Sequence, residues 1–216
     1  MAIPCLILGE SGTGKSASMR NFKKGELAII NVAGKPLPFK SDLQSIATDR
    51  YPEIVNALTK MKAMSAVIDD AQYLLANEFM RRSGEVGYQK FTDIAKNYWS
   101  LIAETVCKQM PENKIVYFMS HIDRDQNGYE KVKTIGKLLD DKITIEGLFT
   151  IVLKTHVEDG KYTFMTQNSG FDTVKSPIGM FEGTEIDNDL KAVDNAIREY
   201  YNLNTVKTAG NDQDKK

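Results

Sequence analysis

Apolar residues in this chain fall into short unbroken runs that alternate with longer stretches of helical spacing. The runs at 3–8 (Ile-Pro-Cys-Leu-Ile-Leu), 26–32 (Glu-Leu-Ala-Ile-Ile-Asn-Val), 66–70 (Ala-Val-Ile-Asp-Asp) and 114–121 (Lys-Ile-Val-Tyr-Phe-Met-Ser-His) lack the alternation of half-wet strands and suit buried parallel ones. Between them, residues 46–61 and 71–80 have helical spacing, as do Phe91, Ile94, Tyr98, Ile102 and Thr105 up to Gln109, where Pro111 stops the helix. The segment 33–39 carries two prolines and a glycine and predicts an extended surface connection, and 83–87 predicts a loop. A charged, glycine-containing stretch, 122–141, precedes two further strands around 148–157 and 162–167, joined by the turn Glu-Asp-Gly-Lys at 158–161. Asp187 or Asn188 can cap a last helix with Leu190, Val193, Ile197 and Tyr200 or Tyr201 on one face. The prediction is an α/β domain over 1–204, with a mostly parallel sheet and a C-terminal antiparallel hairpin; residues 205–216 are polar and expected to be disordered.

Composition narrows the classes of partner. The chain has 216 residues, 42% hydrophobic and 26% charged, with a formal net charge of -1, so no global basic field draws it to nucleic acid or anionic membranes. Such contacts would need local patches. Cys5 and Cys107 are too few for a disulfide framework and fit a reducing compartment. The first apolar run stops at Leu8 without a basic leader, and nothing later approaches the ~18 residues of a membrane span. A soluble protein of the cytoplasm is expected, with no membrane partner.

The most specific chemistry lies directly after the first strand. Residues 9–16 read Gly-Glu-Ser-Gly-Thr-Gly-Lys-Ser, a complete G-x-x-x-x-G-K-[ST] phosphate loop. Glycines let backbone N–H groups curl around phosphates, a lysine reaches the β and γ phosphates, and a hydroxyl holds Mg²⁺. Gly9, Glu10, Ser11, Gly12, Thr13, Gly14, Lys15, Ser16 and Ala17 are therefore the expected nucleotide contacts. Asp69 ends a hydrophobic strand, where a carboxylate can hold Mg²⁺ beside the Ser16 hydroxyl. Asp70 follows, either as the base that orients attacking water or as the N-cap of the next helix. Ser120 and His121 end the fourth strand, where one of them is expected to sense the γ-phosphate.

Two loops mix cations with glycine and a tyrosine able to stack on a base: 81–90, with Arg81, Arg82 and Lys90, and 124–133, with Arg124, Tyr129, Lys131 and Lys133. Both also carry acids, and a solvated loop is the plain alternative. Lys175, after the hairpin, is a candidate cation acting in trans on a neighbour's γ-phosphate.

Taken in order, the phosphate loop, 67–73 (Val-Ile-Asp-Asp-Ala-Gln-Tyr), 117–121 (Tyr-Phe-Met-Ser-His), 133–139 (Lys-Thr-Ile-Gly-Lys-Leu-Leu), 145–149 (Ile-Glu-Gly-Leu-Phe) and 175–181 (Lys-Ser-Pro-Ile-Gly-Met-Phe) resemble bacteriophage ATP-binding proteins with a RecA-like core. The resemblance covers nearly the whole chain except the tail. It implies a three-layer P-loop NTPase fold and ATP hydrolysis coupled to single-stranded DNA work in recombination, strand annealing or replication. It also implies a homo-oligomeric ring or filament with ATP sites between subunits, a single-strand-binding protein or replication partner, and a place in the host cytoplasm. By position, the two basic loops would face DNA and Lys175 would be the trans-acting cation. One departure matters. RecA-like enzymes place a catalytic glutamate after the second strand, and here 31–35 is Asn-Val-Ala-Gly-Lys with no acid, which leaves as the base Asp70 or a group supplied elsewhere. A helicase loader of AAA type would need a helical lid after the sensor strand, where the sequence instead predicts a β-hairpin. A nucleotide-gated binding module with little turnover fits Asp70 in place of glutamate, and a small-molecule kinase would need an arginine-bearing lid for which only Arg124 is placed.

Overall fold

The computed structural model describes residues 1–136 and 138–203; the tail at 205–216 lies outside them. Ten strands form in chain order: β1 (Ile3–Leu8), β2 (Leu27–Asn31), β3 (Ser45–Ala47), β4 (Ser65–Asp69), β5 (Ile115–Ser120), β6 (Ile122–Arg124), β7 (Glu130–Val132), β8 (Ile151–Glu158), β9 (Lys161–Met165) and β10 (Glu185–Asp187). The helices are α1 (Tyr51–Lys60), α2 (Tyr73–Arg81), α3 (Gln89–Ser100) and α4 (Leu190–Tyr200). Eight strands make one sheet in the order β10-β9-β8-β1-β5-β4-β2-β3, parallel from β8 to β3 and antiparallel at β9 and β10. A small antiparallel pair, β6–β7, stands apart.

The unbroken apolar runs have a direct cause: both faces of the sheet are covered. Leu6, Leu8, Ile68, Val116 and Phe118 join α1, α2 and α3 in one core, while Cys5, Ile7, Val67, Tyr117 and Met119 join Met19, Phe22 and α4 in another. Side chains alternate across a strand, so consecutive residues feed opposite layers and all must be apolar. A three-layer α/β fold follows.

The four apolar runs map onto β1, β2, β4 and β5, and the turn at 158–161 is the β8–β9 hairpin, with Asp159 and Gly160 at φ 49° and 76° as a tight primed turn demands. Several expectations are corrected. The helix expected over 46–61 begins only at Tyr51, because Pro52 sits in its first turn and residues 45–47 pair instead with β2 as an edge strand. The glycine loop leads into a 3-10 helix, Ser16–Asn21. The third helix starts at Gln89 and runs on in π geometry from Leu101 to Gln109. The charged stretch after His121 contains β6 and β7, which their short polar composition hid. The last helix is capped by neither Asp187, which lies in β10, nor Asn188; the Asp189 carboxylate accepts from the N–H groups of Lys191 and Ala192. Both cysteines are free. Among the described residues no helix is long and apolar enough to cross a membrane.

Candidate functional site

The C-terminal ends of β1, β2, β4 and β5 open on one side, and a cleft of about 400 Å³ lies there. Its lining joins Gly12, Gly14, Lys15 and Ser16 of the glycine loop to Asp69, Asp70 and His121, which the sequence separates by more than fifty residues. Strand order does this. Because β5 lies between β1 and β4, the acid-bearing strand and the strand ending in His121 both reach the loop.

The loop is held by its glycines. Gly14 has φ +92°, and a Cβ there would stand 2.9 Å from the Tyr162 ring. A Cβ on Gly9 would collide with the Thr155 hydroxyl of β8, which pairs with Thr13 Oγ1 at 2.6 Å and donates to the Leu8 carbonyl at 3.2 Å. Lys15 is only 6% exposed and donates to the carbonyls of Gly9 (2.9 Å) and Glu10 (2.7 Å), which leaves one of its three N–H donors for a ligand. Burial pulls its pKa down to about 8, with Asp70 and Asp69 opposing.

Ser16 Oγ donates to Asp69 Oδ1 at 2.9 Å. Burial raises the Asp69 pKa, and the Ser16 hydrogen bond works against that rise. A hydroxyl and a carboxylate side by side are oxygen donors of the kind that suit a hard divalent cation. Among the described residues no group of three or more His, Cys, Asp or Glu could hold a metal by itself.

Asp70 is not a helix cap. Its backbone is left-handed, at φ +60°, and the Tyr73 N–H is taken by the Asp70 carbonyl, so the side chain is free to turn into the cleft. There Oδ2 meets Lys35 Nζ at 3.1 Å and Oδ1 lies 3.5 Å from His121 Nε2. Non-glycine residues pay for a left-handed backbone and cluster at functional sites when they adopt it. Burial, and then the Lys15 charge, hold His121 below its ordinary pKa, so its imidazole is neutral at pH 7.

The choice between Ser120 and His121 resolves on strand parity. His121 lines the cleft, but Ser120 is fully buried on the α3 side, beside the Tyr98 hydroxyl, where neither oxygen has a well-formed partner. Ser120 therefore does not line the cleft. Ser120→Ala is expected to change the unfolding free energy by no more than about 1 kcal/mol in a urea titration, because it removes a hydroxyl that gains nothing; a loss of several times that would show a bond at Ser120.

Arg81, Arg82, Lys90 and Arg124 of the two basic loops are engaged with nearby acids and carbonyls. Arg81 meets Asp49 at 2.5 Å, and Arg82 reaches Glu85 and Asp93 at 2.7 and 2.9 Å. Lys90 donates to the Glu85 carbonyl and lies 5.5 Å from the ring centroids of Phe79 and Phe91. Arg124 bridges Glu10 of the glycine loop (3.0 Å) to Glu130 (2.8 Å), which in turn holds Lys154. Tyr129 and Lys133 remain exposed, and Lys131 is half-buried. Lys175 is exposed, outside the cleft, with its backbone bridged to Val152.

Sequence reading missed Asn31, Lys35, Pro36, Pro38, Thr155 and Tyr162 around the loop. The signal for the first four was present in the proline-rich segment following β2, since connections at strand C-termini line ligand sites in open α/β sheets. No model of a known protein family matches this chain, and no curated protein does.

Proposed function

We propose that the protein binds ATP with Mg²⁺ in this cleft and hydrolyses it, as a RecA-like ATPase of phage type working with single-stranded DNA as a homo-oligomer. The observation that carries the nucleotide part is the Ser16–Asp69 hydrogen bond of 2.9 Å at the head of a complete phosphate loop, with Lys15 buried behind it. Backbone N–H groups of Gly12 to Ala17 bind phosphate oxygens, Lys15 neutralises the β and γ groups, and Ser16 and Asp69 would hold the cation. A Mg²⁺ held there would supply neutralisation of phosphate charge. In hydrolysis a water oxygen bonds to the γ phosphorus as its bond to the β-phosphate oxygen breaks, giving ADP and phosphate. Asp70, with neutral His121 beside it, takes the water proton and passes it to solvent. The DNA and oligomer parts rest on the resemblance, with Lys175, exposed and outside its own cleft, proposed to act in trans.

A second reading, a nucleotide-gated binding module with little turnover, is favoured by the Lys35–Asp70 pair, since a carboxylate held by an ammonium is a poor base. One experiment separates them. Phosphate release is expected to require Mg²⁺ and to rise several-fold with single-stranded DNA at low salt. Binding without release selects the module, and release unaffected by DNA removes the DNA part.

A further inference from the structure

Lys35 stands in a peculiar position. It follows β2, where no acid is available, and its backbone is fixed on both sides. The Asn31 side chain, buried at the end of β2, donates to the Lys35 carbonyl at 2.5 Å, and Pro36 and Pro38 set the φ angles beyond it. Its side chain is 64% exposed at the cleft mouth, the ammonium 3.1 Å from Asp70 and 5.3 Å from the Tyr73 ring centroid. The hydrogen bond that Lys35 donates to Asp70 raises the Lys35 pKa, and the Lys35 charge in turn opposes protonation of Lys15 and His121. Lys35 is therefore a second cation in the field of the γ end, where Lys15 and Lys35 balance Asp69 and Asp70.

We infer that Lys35 is a γ-phosphate ligand that exchanges its Asp70 partner for the terminal phosphate of a bound triphosphate, releasing the Asp70 carboxylate to act on water. A γ-phosphate presents more negative charge and more acceptor oxygens than one carboxylate, so it takes the ammonium. A diphosphate leaves that place empty, and Lys35 returns to Asp70. The exchange makes the base available only when there is a phosphate to transfer, and it gives the cleft a preference for triphosphate. The inference rests on the nucleotide reading above.

The test is titration of the full-length protein with Mg²⁺ and either ADP or a non-hydrolysable ATP analogue. Lys35→Ala is expected to weaken the analogue about 10- to 100-fold, the worth of one charge-assisted hydrogen bond, and to change ADP by less than about 2-fold. Lys35→Arg should recover part of the loss. Asp70→Asn separates ligand exchange from a merely structural ion pair. Asparagine tolerates the left-handed backbone, and without a competing carboxylate the analogue should bind at least as tightly as to wild type. Equal losses for both nucleotides, no loss for either, or a loss of analogue binding in Asp70→Asn matching that in Lys35→Ala overturns the exchange. A wild-type protein that binds neither nucleotide overturns the ATP reading itself, and the inference falls with it.

Discussion

Lys15→Ala is expected to lower ATP affinity and turnover by about 100-fold or more, the range seen when one preorganised donor to a developing charge is removed. The structural reason is that Lys15 is buried beneath the loop with its donors aimed at two loop carbonyls and the cleft, so no neighbouring cation can replace it. The same burial makes it costly without ligand. Its pKa in the folded chain is about 8 against 10.5 for a free lysine, so between those values the unfolded chain holds more protons. Stability of the ligand-free wild type should therefore rise with pH across that window, and the variant should lose this rise. Titration calorimetry, phosphate release and thermal melts from pH 7 to 10 read all three effects. Normal turnover in the variant would sink the site assignment, and a fall in melting temperature at neutral pH would recast Lys15 as structural.

Asp194→Ala should produce the largest stability loss. Asp194 is 2% exposed and binds Arg198 Nε at 2.8 Å, accepts from the Tyr117 hydroxyl at 3.1 Å, and accepts from Ser65 Oγ. Arg198 adds bonds to Ser65 Oγ at 2.7 Å and to the carbonyls of Met64 and Asn113 at 3.0 and 3.1 Å. This network ties α4 to the ends of β4 and β5 opposite the cleft. Removing the carboxylate strands a buried guanidinium, which costs about 3–5 kcal/mol and, for a chain of this size, about 10 °C in melting temperature. Replacing both partners by apolar residues, Asp194→Leu with Arg198→Met, should recover most of the loss, because no buried charge is left alone. Differential scanning calorimetry measures both variants. A fall of less than about 3 °C for Asp194→Ala would show that Arg198 finds enough carbonyl partners without it. ATP affinity should be unchanged in either variant.

Much of this protein is local and therefore legible. A buried parallel strand needs apolar residues on both faces, so β1, β2, β4 and β5 appear as unbroken runs, and their polar ends mark where a site can lie. The glycine loop is specified by residue type alone, because few residues other than glycine accept φ near +90° under a tyrosine ring. Asp69 was visible for the same reason: an acid at the end of an apolar strand has no other local explanation. Parity even separates Ser120 from His121, placing them on opposite faces of β5. Which face α3 covers is not local, and only the packing of Tyr98 against Ser120 assigns His121 to the cleft.

The elements that escaped the sequence are short strands without an apolar run. The edge strand β3 has three exposed residues and no pattern of its own, and β6 and β7 are too short and polar to announce themselves. The cations of residues 81–90 and 124–133 resemble a nucleic-acid face in composition. In the fold, Asp49, Asp93 and Glu10 come within reach of Arg81, Arg82 and Arg124, and opposite charges pair wherever the chain path allows. By itself the sequence determined most of the long strands, the loop and the acid that ends β4, because strand burial and left-handed glycines constrain residue identity position by position. The tertiary structure alone decided which charges meet: Lys35 on Asp70, Thr155 against Gly9, Arg124 on Glu10. Those contacts depend on sheet order and loop path, which no single stretch of residues encodes.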